Sequence, residues 1–374
     1  MKILVLNYEF PPLGGGAGQV TYELSKNLVK LGHEVDLITM HFNGLKEHEI
    51  VEGINVFRVK CIRKNKTHTN IFEMLSYLFS SFFFLKNNKK KYDVIHCHFI
   101  IPTGILAYLI HKIYKIPYII TIHGSDVPGF NQDRFVFAHK FTIPILRLII
   151  QNSRYVISPS NYLANLARKN IGNYNIQVIP NGINLDRLGN KKFSKKNFIT
   201  TSARLFPRKG IQYVLEALSK DDFKKFAMSW EYHILGDGPY KNELLEKAKK
   251  SKIKVFFHGW LNPGTIEYQK ILKQSKIFIL TSKNENASIS LLEAMLAKCA
   301  IITSNSSGCK ETIGNTGFLV DPEDVIKIKD LLIFLMSNPK ILNKKALQAY
   351  RRLIKNYLWR DISKKYEKYL LKSI

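Results

Sequence analysis

Two glutamates in the second half of the chain have a spacing that could bind vicinal hydroxyl groups. Glu285 follows a short apolar run, and Glu293 lies eight residues later, in the first turns of a predicted helix. Carboxylates at such positions can accept hydrogen bonds from the hydroxyls of a sugar. The amides of Ala287, Ser288 and Ile289 would point outward at the start of that helix. Taken alone, Glu293 could equally be a carboxylate that complements the helix dipole.

A basic loop earlier in the same half could neutralise phosphate. Arg204-Leu205-Phe206-Pro207-Arg208-Lys209-Gly210 directly follows a predicted strand over residues 197–202. Ligands of open α/β sheets bind at the carboxyl ends of the strands, where this loop should lie. Arginine can fork onto two phosphate oxygens, and lysine acts as a mobile point charge. The alternative is a solvated loop, because basic loops are common in a chain of this charge.

A glycine-rich loop near the start of the chain could approach an anion. Gly14-Gly15-Gly16-Ala17-Gly18 follows the first predicted strand and opens a helix, so its amides lack obstruction by Cβ atoms. The loop does not fit G-x-G-x-x-G, because position 19 is Gln, and Gly236-Asp237-Gly238 also fails the pattern. No G-x-x-x-x-G-K-[ST] is present, which argues against NAD-linked oxidoreductases and P-loop nucleotidases. The alternative for this loop is a tight strand-to-helix turn.

The candidate metal ligands are few. His96-Cys97-His98 ends a predicted strand, and residues two apart in a strand point to the same face. No further cluster of Cys, His or Asp has suitable spacing, and Asp221-Asp222 lacks the D-x-D form. We therefore expect no metal and no cofactor. Side-chain cations and amides would have to neutralise a bound diphosphate.

Buried parallel strands should position these groups. Short apolar, β-branched runs alternate with amphipathic segments along the chain, and such runs suit strands that are buried on both faces. One amphipathic segment carries apolar residues every three or four positions from Val20 to Leu31 and should end at Gly32. The pattern predicts doubly wound α/β domains. The predicted strands cover residues 3–6, 35–39, 93–97, 118–122, 155–158, 177–179, 197–202, 231–235, 254–257, 277–281 and 300–303.

The length of 374 residues suggests two domains, at roughly 100–200 residues per domain. Pro180-Asn181-Gly182 is a turn signal, and a polar stretch over residues 189–192 precedes a new strand. We therefore expect an N-terminal domain over residues 1–184 and a C-terminal domain over residues 185–354. The sheet-rich pattern ends near Val320, and the remainder is helical.

The bulk composition constrains partners and compartment. The net charge of +28 is compatible with nucleic acid, an anionic membrane surface or phosphorylated substrates. The cysteines Cys61, Cys97, Cys299 and Cys309 form no CxxC pair and are expected to be reduced. The amino terminus does not resemble a signal peptide, and the longest apolar stretch, residues 71–85, contains a glutamate and is too short to span a bilayer. We expect a cytoplasmic protein.

Taken in order, these segments and several others resemble family 4 of the retaining, nucleotide-sugar-dependent glycosyltransferases. The resemblance covers nearly the whole chain. The motifs that carry it are Pro11-Pro12-Leu13-Gly14-Gly15-Gly16, Gly32-His33-Glu34-Val35, Asp93-Val94-Ile95-His96, Thr121-Ile122-His123-Gly124-Ser125-Asp126-Val127, Pro159-Ser160-Asn161, Ile179-Pro180-Asn181-Gly182-Ile183-Asn184, residues 204–210, Gly236-Asp237-Gly238-Pro239, Phe257-His258-Gly259 and the E-x7-E pair followed by Ala294-Met295.

The resemblance implies the glycosyltransferase-B architecture, in which two Rossmann-like domains face each other across a cleft that holds the donor. Arg204 and Lys209 would grip the donor diphosphate. Glu293 would bind the ribose hydroxyls, and Glu285 would bind the transferred sugar. His123 would lie near the sugar and the departing oxygen.

Further roles are also implied by the resemblance. Gly16 would close its loop over the phosphates, residues 259–261 would flank the nucleobase, and a C-terminal helix near residues 357–371 would return to the first domain. The implied substrate-binding residues are Gly15, Gly16, Asp126, Gly259, Trp260, Leu261, Asn286, Ala287, Ser288, Ile289 and Glu293.

One departure from the family concerns the sugar pocket. The family often has Gly-Phe-Gly after the first glutamate, where this chain has Asn286-Ala287-Ser288. This departure leaves the sugar open, and the nucleotide, the acceptor and the linkage stay open as well.

The resemblance implies metal-independent transfer with retention of anomeric configuration to a glycan or lipid acceptor. A nucleotide-sugar epimerase of the same architecture is the alternative, and a non-catalytic basic protein that binds membrane or nucleic acid is a third hypothesis; no RNA-binding signature or zinc finger supports nucleic acid.

An aromatic stretch suggests a membrane contact. Residues 71–85 are rich in Phe and Leu and are followed by Lys86 and Lys89-Lys90-Lys91. Such a segment could lie in a membrane interface with its lysines over anionic head groups. The alternative is a helix that packs on the first domain's sheet. We expect a peripheral enzyme of the cytosolic membrane face.

Overall fold

The chain divides into two α/β units, one formed by residues 1–181 with 359–374 and the other by residues 182–358. The expected boundary at residue 184 lies just after the observed one. The computed structural model describes residues 1–66, 68–88, 91–130 and 136–374. Lys89 and Lys90 of the predicted lysine cluster lie outside the described residues.

The first unit alternates strands and helices. Its strands are β1 (Lys2–Leu6), β2 (Glu34–Met40), β3 (His48–Val51), β4 (Ile54–Val59), β5 (Val94–His98), β6 (Tyr118–Thr121), β7 (Tyr155–Ser158) and β8 (Ile176–Val178). Its helices are α1 (Gly16–Lys30), α2 (Ile71–Asn87), α3 (Ile105–Tyr114), α4 (Val136–Asn152), α5 (Asn161–Asn170) and, from the C-terminus, α13 (Trp359–Leu371).

These strands form one sheet in the order β3-β4-β2-β1-β5-β6-β7-β8. All neighbours are parallel except the antiparallel pair β3 and β4. Ile3 pairs with Val35 on one side and with Val94 on the other. The strand order therefore reverses between β1 and β5, and the loops that follow these two strands lie at the switch point where α/β proteins bind ligands.

Helix boundaries in this unit follow local chemistry. The Asn70 side chain accepts the Glu73 N–H while the Glu73 carboxylate accepts the Asn70 N–H, a capping box that starts α2. Helix α1 ends where predicted, because Gly32 adopts a positive φ of 88° just after the helix. Helix α13 packs against α1 within the first unit.

The second unit repeats the pattern. Its strands are β9 (Phe198–Ser202), β10 (Glu231–Leu235), β11 (Lys254–Phe257), β12 (Ile277–Leu280), β13 (Ala300–Ser304) and β14 (Phe318–Val320). Its helices are α6 (Ile211–Leu218), α7 (Lys241–Ala248), α8 (Ile266–Gln274), α9 (Ile289–Leu296), α10 (Cys309–Ile313), α11 (Val325–Ser337) and α12 (Pro339–Asn356).

The second sheet is parallel, in the order β11-β10-β9-β12-β13-β14. Its order reverses between β9 and β12, which pair through Ile277 and Ile199. Alternate residues of β12 enter two separate cores: Ile279 packs on one face of the sheet and Phe278 on the other. This double burial explains why the strand sequences are continuous apolar runs.

The fold class predicted from the sequence, two Rossmann-like α/β domains, is confirmed. Every predicted strand is present with its ends shifted by at most a few residues. Strands β3, β4 and β14 were not predicted. β3 and β14 are edge strands, and β3 and β4 carry polar residues among the apolar ones, so they lack the apolar run that marks a doubly buried strand.

Candidate functional site

The predicted basic loop and the first predicted glutamate meet at the switch point of the second sheet. The loop over residues 203–210 follows β9, and the loop over residues 281–288 follows the adjacent β12. The Lys283 N–H donates to the Arg208 carbonyl at 2.9 Å, and the Thr281 hydroxyl donates to the Gly210 carbonyl at 3.0 Å. These bonds fix the two loops against each other.

Two glycines permit the close approach of backbone at this end of the sheet. Gly210 has a φ of 74°, and a Cβ there would lie 2.1 Å from the Thr281 carbonyl oxygen. Gly236 has a φ of 147°, and a Cβ there would lie 1.9 Å from the Ala203 carbonyl oxygen. Any other residue would push the loops after β9, β10 and β12 apart.

Lys209 and Glu285 form an ion pair. The Lys209 ammonium lies 2.5 Å from Glu285 Oε2, and the two side chains are only 13% and 19% exposed. The sequence predicted a phosphate-binding cation and a sugar-binding carboxylate, and the structure brings these two groups into contact. Each charge stabilises the other where little of either side chain is exposed to solvent.

Arg204 lies on the solvent side of the same loop. Its side chain is exposed, and its guanidinium lies 5.7 Å from the centre of the Phe206 ring. The Arg208 guanidinium stacks closer to the same ring, at 4.7 Å. Arg204 is exposed and shares this loop with the half-buried Lys209, which gives this corner of the unit a cationic rim.

Glu293 is buried within a hydrogen-bonded network. Its side chain is 2% exposed, and Oε1 accepts the Arg187 Nε–H at 2.8 Å while Oε2 accepts the Tyr268 hydroxyl at 2.6 Å. Ser202 Oγ lies 3.1 Å from the same tyrosine oxygen. Burial, and then the adjacent Glu293 charge, raise the pKa of Tyr268 well above its ordinary value. Two hydrogen-bond donors therefore fix the orientation of the Glu293 carboxylate.

The segment between the two glutamates starts helix α9. Ser288 is its N-terminal capping residue but makes no capping hydrogen bond, and its hydroxyl lies 3.0 Å from that of Ser290. Asn286 and Ser288 are buried, whereas Ala287 and Ile289 are half-buried. The Gly308 N–H donates to the Glu285 carbonyl at 2.9 Å and anchors the segment.

The predicted nucleobase segment follows β11 at the same end of the sheet. The Gly236 N–H donates to the Gly259 carbonyl at 2.7 Å, which joins this segment to the loop after β10. Trp260 is 68% exposed, and Leu261 is half-buried against the core. His258 Nε2 lies 2.9 Å from His233 Nδ1 behind the segment, and burial lowers the pKa of both histidines.

The glycine-rich loop lies after β1, at the switch point of the first sheet. The Gly14 N–H donates to the Lys66 carbonyl at 2.7 Å, and the Gly15 N–H donates to the Glu9 carboxylate at 3.1 Å. Gly15 and Gly16 are exposed at the start of α1. The sequence predicted that the amides of this loop would face an anion. In this structure the Glu9 carboxylate already accepts the Gly15 amide.

His123 lies beyond β6, beside two histidines of β5. His98 Nδ1 lies 2.9 Å from His123 Nε2, and His96 Nε2 lies 2.8 Å from the Thr121 hydroxyl. His96 and His98 share one face of β5, as predicted, with ring centres 4.3 Å apart. Burial lowers the pKa of His96 and of His123 to about 3 and lowers that of His98 well below its usual value.

Asp126 clamps the loop that carries His123. Its Oδ1 accepts the N–H groups of His123 and Gly124 at 3.0 and 2.9 Å, and its Oδ2 accepts the Ile100 N–H at 3.0 Å. The carboxylate is 6% exposed, and burial raises its pKa against the effect of these amides. The carboxylate predicted to bind substrate thus ties the loop after β6 to the segment after β5.

Three side chains of these sites were not predicted from the sequence. Arg187 and Tyr268 bind Glu293, and His98 binds His123. Arg187 lies 106 residues before Glu293 in the chain, so no local spacing could have linked them. The spacing of His98 from His96 did place both side chains on one face of the strand. That spacing indicated a candidate metal pair and gave no sign that a third histidine would contact His98.

The described residues contain no group of three or more His, Cys, Asp or Glu side chains that could hold a metal ion. None of the helices in the described parts of the chain is long and apolar enough to cross a bilayer. All four cysteines are free thiols, as predicted.

Solved structures match this fold over nearly the full chain. Sucrose-phosphate synthase from Thermosynechococcus elongatus superposes with a TM-score of 0.83 at 16% identity, covering 99% of this chain and 98% of that one. Anabaena HepE in complex with UDP-glucose superposes with a TM-score of 0.77 at 15% identity over 100% of both chains. The two Rossmann-like units therefore have the glycosyltransferase-B fold.

Sequence comparison identifies the family. Residues 14–187 match the model of Glycosyltransferase Family 4, and residues 183–356 match that of Glycosyl transferases group 1. The chain therefore belongs to the family 4 type of glycosyltransferases, which confirms the resemblance predicted from its motifs. An uncharacterised glycosyltransferase of Methanocaldococcus jannaschii is 28% identical over 97% of this chain and 96% of its own length. The UDP-Gal:alpha-D-GlcNAc-diphosphoundecaprenol alpha-1,3-galactosyltransferase of Escherichia coli is 23% identical over 95% and 93%.

The buried histidines predict a loss of stability in mild acid. Unfolded histidines bind protons below about pH 6.5, whereas folded His96 and His123 do so only near pH 3. The unfolded chain thus holds more protons, and the free energy of unfolding should fall as the pH drops, by up to about 1.4 kcal/mol per pH unit for each histidine. Urea unfolding measured between about pH 7.5 and 5.5 checks this. Asp126, whose pKa is raised by burial, acts in the opposite sense.

The matched variant is His96→Asn, which removes one of these histidines and should flatten the pH dependence by about one proton. A free energy of unfolding that stays constant or rises as the pH falls through this range would contradict the prediction.

Proposed function

We propose that this glycosyltransferase moves a sugar from a nucleotide-diphosphate sugar to a glycan or lipid acceptor, with retention of anomeric configuration and without a metal ion. The observation that carries the proposal is the Lys209–Glu285 pair at the switch point of the second unit, in the loops where this fold class binds ligands. A nucleotide-sugar presents a diphosphate, which a cation can bind, and sugar hydroxyls, which a carboxylate can bind.

The class of donor is supported by the ligands of similar proteins. HepE was solved with UDP-glucose, and the E. coli relative carries UDP-Gal in its name. Each supports a nucleotide-diphosphate sugar for this chain. No described residue selects among UDP, GDP and other nucleotides, so the base and the sugar stay open.

The diphosphate would meet the cations of the loop after β9. As the bond to the sugar breaks, negative charge grows on the departing diphosphate, and groups already aimed at it stabilise the transition state. Lys209 is partly buried, where its charge acts through less water than at the surface. Arg204 on the exposed rim can fork onto two phosphate oxygens. We propose both as catalytic residues.

The two glutamates would bind hydroxyl groups. Glu285, already oriented by Lys209, would accept hydrogen bonds from the transferred sugar. Glu293 would accept the ribose hydroxyls, since each carboxylate oxygen has a second lone pair beyond those used by Arg187 and Tyr268. The amides of residues 286–289 and the segment at Gly259, Trp260 and Leu261 would complete the donor contacts.

His123 would lie on the acceptor side, near the sugar. Its half-buried imidazole has a pKa lowered to about 3, so the neutral ring can donate one hydrogen bond and accept another without carrying charge. Asp126 would support this residue by fixing the loop, and Gly15 and Gly16 would contribute amides at the first unit's switch point.

Metal independence is proposed from the sequence and the cations together. The chain has no D-x-D, the short motif that bridges a diphosphate through a divalent ion. Arg204 and Lys209 occupy the loop where that neutralising charge is needed. Retention follows from the family resemblance, and the residues offer no convincing nucleophile for a covalent intermediate.

Replacing Arg204 with Ala should weaken donor binding or catalysis by about 2–4 kcal/mol, because charge-assisted bonds to the diphosphate are lost. Lys209→Ala should have an effect of the same order. The measurement is kcat/KM for sugar transfer under saturating acceptor. Arg208→Ala is the matched control from the same loop, and it should cost less than either.

Wild-type turnover in both Arg204→Ala and Lys209→Ala would refute this assignment. Conversion of the donor to an epimer without any acceptor would instead support the epimerase.

Sugar transfer should persist in excess EDTA with a metal-free preparation, because side-chain cations neutralise the diphosphate. The measurement is initial rate after chelation, with and without added manganese or magnesium. An enzyme that is inactive until one of these ions is restored would overturn metal independence.

The acceptor side is proposed to dock on an anionic membrane. Helix α2 packs on the first sheet through a buried face, where the Tyr77 hydroxyl donates to the Ile38 carbonyl at 3.0 Å. Its opposite face is also apolar, and we call it the outer stripe. The outer stripe consists of Phe72, Leu75, Phe79 and Phe83, which are 78%, 42%, 61% and 56% exposed.

The neighbouring surface suits a membrane of negative charge. Helix α3 packs beside α2 and adds Ile113 and Tyr114, which are 53% and 49% exposed. The exposed lysines Lys86, Lys91 and Lys112 lie on or next to these two helices. Aromatic and aliphatic side chains beside lysines match an interface between acyl chains and anionic head groups. The relative that acts on a diphosphoundecaprenol substrate supports a lipid-linked acceptor for this chain.

Phe72→Ser with Phe79→Ser should reduce recovery of the protein in liposome flotation, because both rings are exposed and would insert into the interface. Lys86→Glu with Lys91→Glu should reduce recovery on anionic vesicles only, by about 1 kcal/mol for each basic charge removed at low salt. Ile326→Ser is the matched control, since this residue is 68% exposed on α11 of the second unit.

Equal recovery of the wild type with neutral and anionic vesicles, or no recovery with either, would leave a soluble acceptor as the better interpretation.

A further inference from the structure

His98 contacts His123 through a single pair of ring nitrogens. His98 Nδ1 lies 2.9 Å from His123 Nε2, and the ring planes are 20° apart with centres 5.2 Å apart. His98 is fully buried, and its Nε2 has no hydrogen-bond partner among the described residues. Its one polar contact at the ring is therefore directed at His123.

The sheet fixes this contact. Strands β5 and β6 are parallel, and His98 pairs with Thr121 in their register. His123 lies two residues after Thr121, so its side chain lies on the same face and beyond the end of the strand. Asp126 holds the His123 N–H and the Ile100 N–H with its two oxygens. The backbone on both sides of the histidine pair is thus clamped.

The unpartnered nitrogen of His98 decides which ring donates. Neutral imidazole carries one N–H, and the other nitrogen is an acceptor. If His98 Nδ1 were the acceptor, its proton would sit on Nε2 as a buried donor without a partner among the described residues. A buried orphan N–H is rare and costly, whereas an unused lone pair is tolerated more often. The proton of His98 therefore belongs on Nδ1, where it is donated to His123 Nε2.

The structure assigns to His98 the role of a positioning residue that holds His123 as its Nδ1–H tautomer. His123 Nε2 then serves as an acceptor inside the protein, and its proton stays on Nδ1. The inference rests on the proposed function in taking His123 as a residue on the sugar side of the site. It deepens that function, because His123 Nε2 is already engaged by His98, so the ring could meet a substrate oxygen only as an Nδ1–H donor and not as a base.

Burial supports this assignment. It lowers the pKa of His123 to about 3 and that of His98 well below its usual value, so both rings stay neutral at physiological pH. A neutral pair has one proton to share between its two facing nitrogens, which makes the tautomer of one ring dictate that of the other. His96, which bonds to Thr121 and not to His123, has no such effect.

The tautomer can be measured directly by two-bond proton–nitrogen correlation NMR of the full chain labelled at histidine nitrogen. We expect His123 with a protonated Nδ1 and an unprotonated Nε2. His98→Asn places an amide N–H where Nδ1–H was and should keep that pattern. His98→Leu removes the donor and should release His123 into a mixture of tautomers. His96→Asn is the matched control on the same strand and should leave His123 unchanged.

The second experiment measures kcat and the donor KM of His98 variants. His98→Leu should lower kcat by about ten- to hundredfold, as seen for groups that orient histidines at metal sites, with donor KM changed by less than about twofold. His98→Asn should restore most of kcat. His98→Gln, whose amide reaches the place of Nε2 instead, should not, which separates positioning from a loss of packing even if His98→Leu unfolds.

An Nε2–H tautomer of His123 in the wild type, or an unchanged tautomer in His98→Leu, would overturn the inference. So would equal kcat in His98→Asn and His98→Gln. A wild-type chain that shows the expected tautomer but transfers no sugar from any nucleotide-sugar would instead count against the proposed function.

Discussion

The site depends on one constraint, the reversal of strand order beside the first strand of each sheet. In the second unit the chain adds β10 and β11 on one side of β9 and then returns to add β12 on the other. The helices that follow β9 and β12 pack on opposite faces of the sheet, and ligands of this fold class bind where the strand order reverses in this way. Lys209 and Glu285 come from these two loops and meet there. The same reversal beside β1 brings the glycine-rich loop and the His98 end of β5 to one edge of the first sheet.

Carboxylates taken out of water need partners, and each buried acid of the two sites has its own. Glu293 has a guanidinium and a phenol, Glu285 has an ammonium, and Asp126 has three backbone amides. An isolated buried charge would shift its pKa and become neutral. These partners fix the orientation of the carboxylates before a substrate arrives, so little reorganisation is needed when hydroxyl groups bind.

The sequence predicted the parts of the fold that are buried on both faces. Continuous apolar runs such as that of β12 have one structural explanation, a central parallel strand. Edge strand β3 reads His48-Glu49-Ile50-Val51, and its pairing with β4 depends on a neighbour rather than on its own composition. Strand β14 is short and follows a polar loop, so it carried no comparable signal.

The candidate site was predictable where function and local spacing coincide. Glu285 and Glu293 stand eight apart on one loop and helix, and Arg204 and Lys209 share one loop. Their contacts were not predictable, because they join distant segments: Lys209 is 76 residues from Glu285, and Arg187 is 106 residues from Glu293. The sheet order decides such pairings, and the spacing along the chain does not record it. His98 shows the same limit, since its partner comes from the next strand.

The most direct test of the account is thermal unfolding of the full chain with UDP-, GDP- and ADP-sugars. The second unit's switch point should bind one nucleotide class selectively, and a ligand at about 100 times its Kd should add about 2.7 kcal/mol to the free energy of unfolding. The rise in Tm should saturate with the ligand and should shrink when the Lys209–Glu285 pair is replaced by Met and Gln together. No rise with any nucleotide-sugar, or an equal rise in that double variant, would contradict the placement of the donor site.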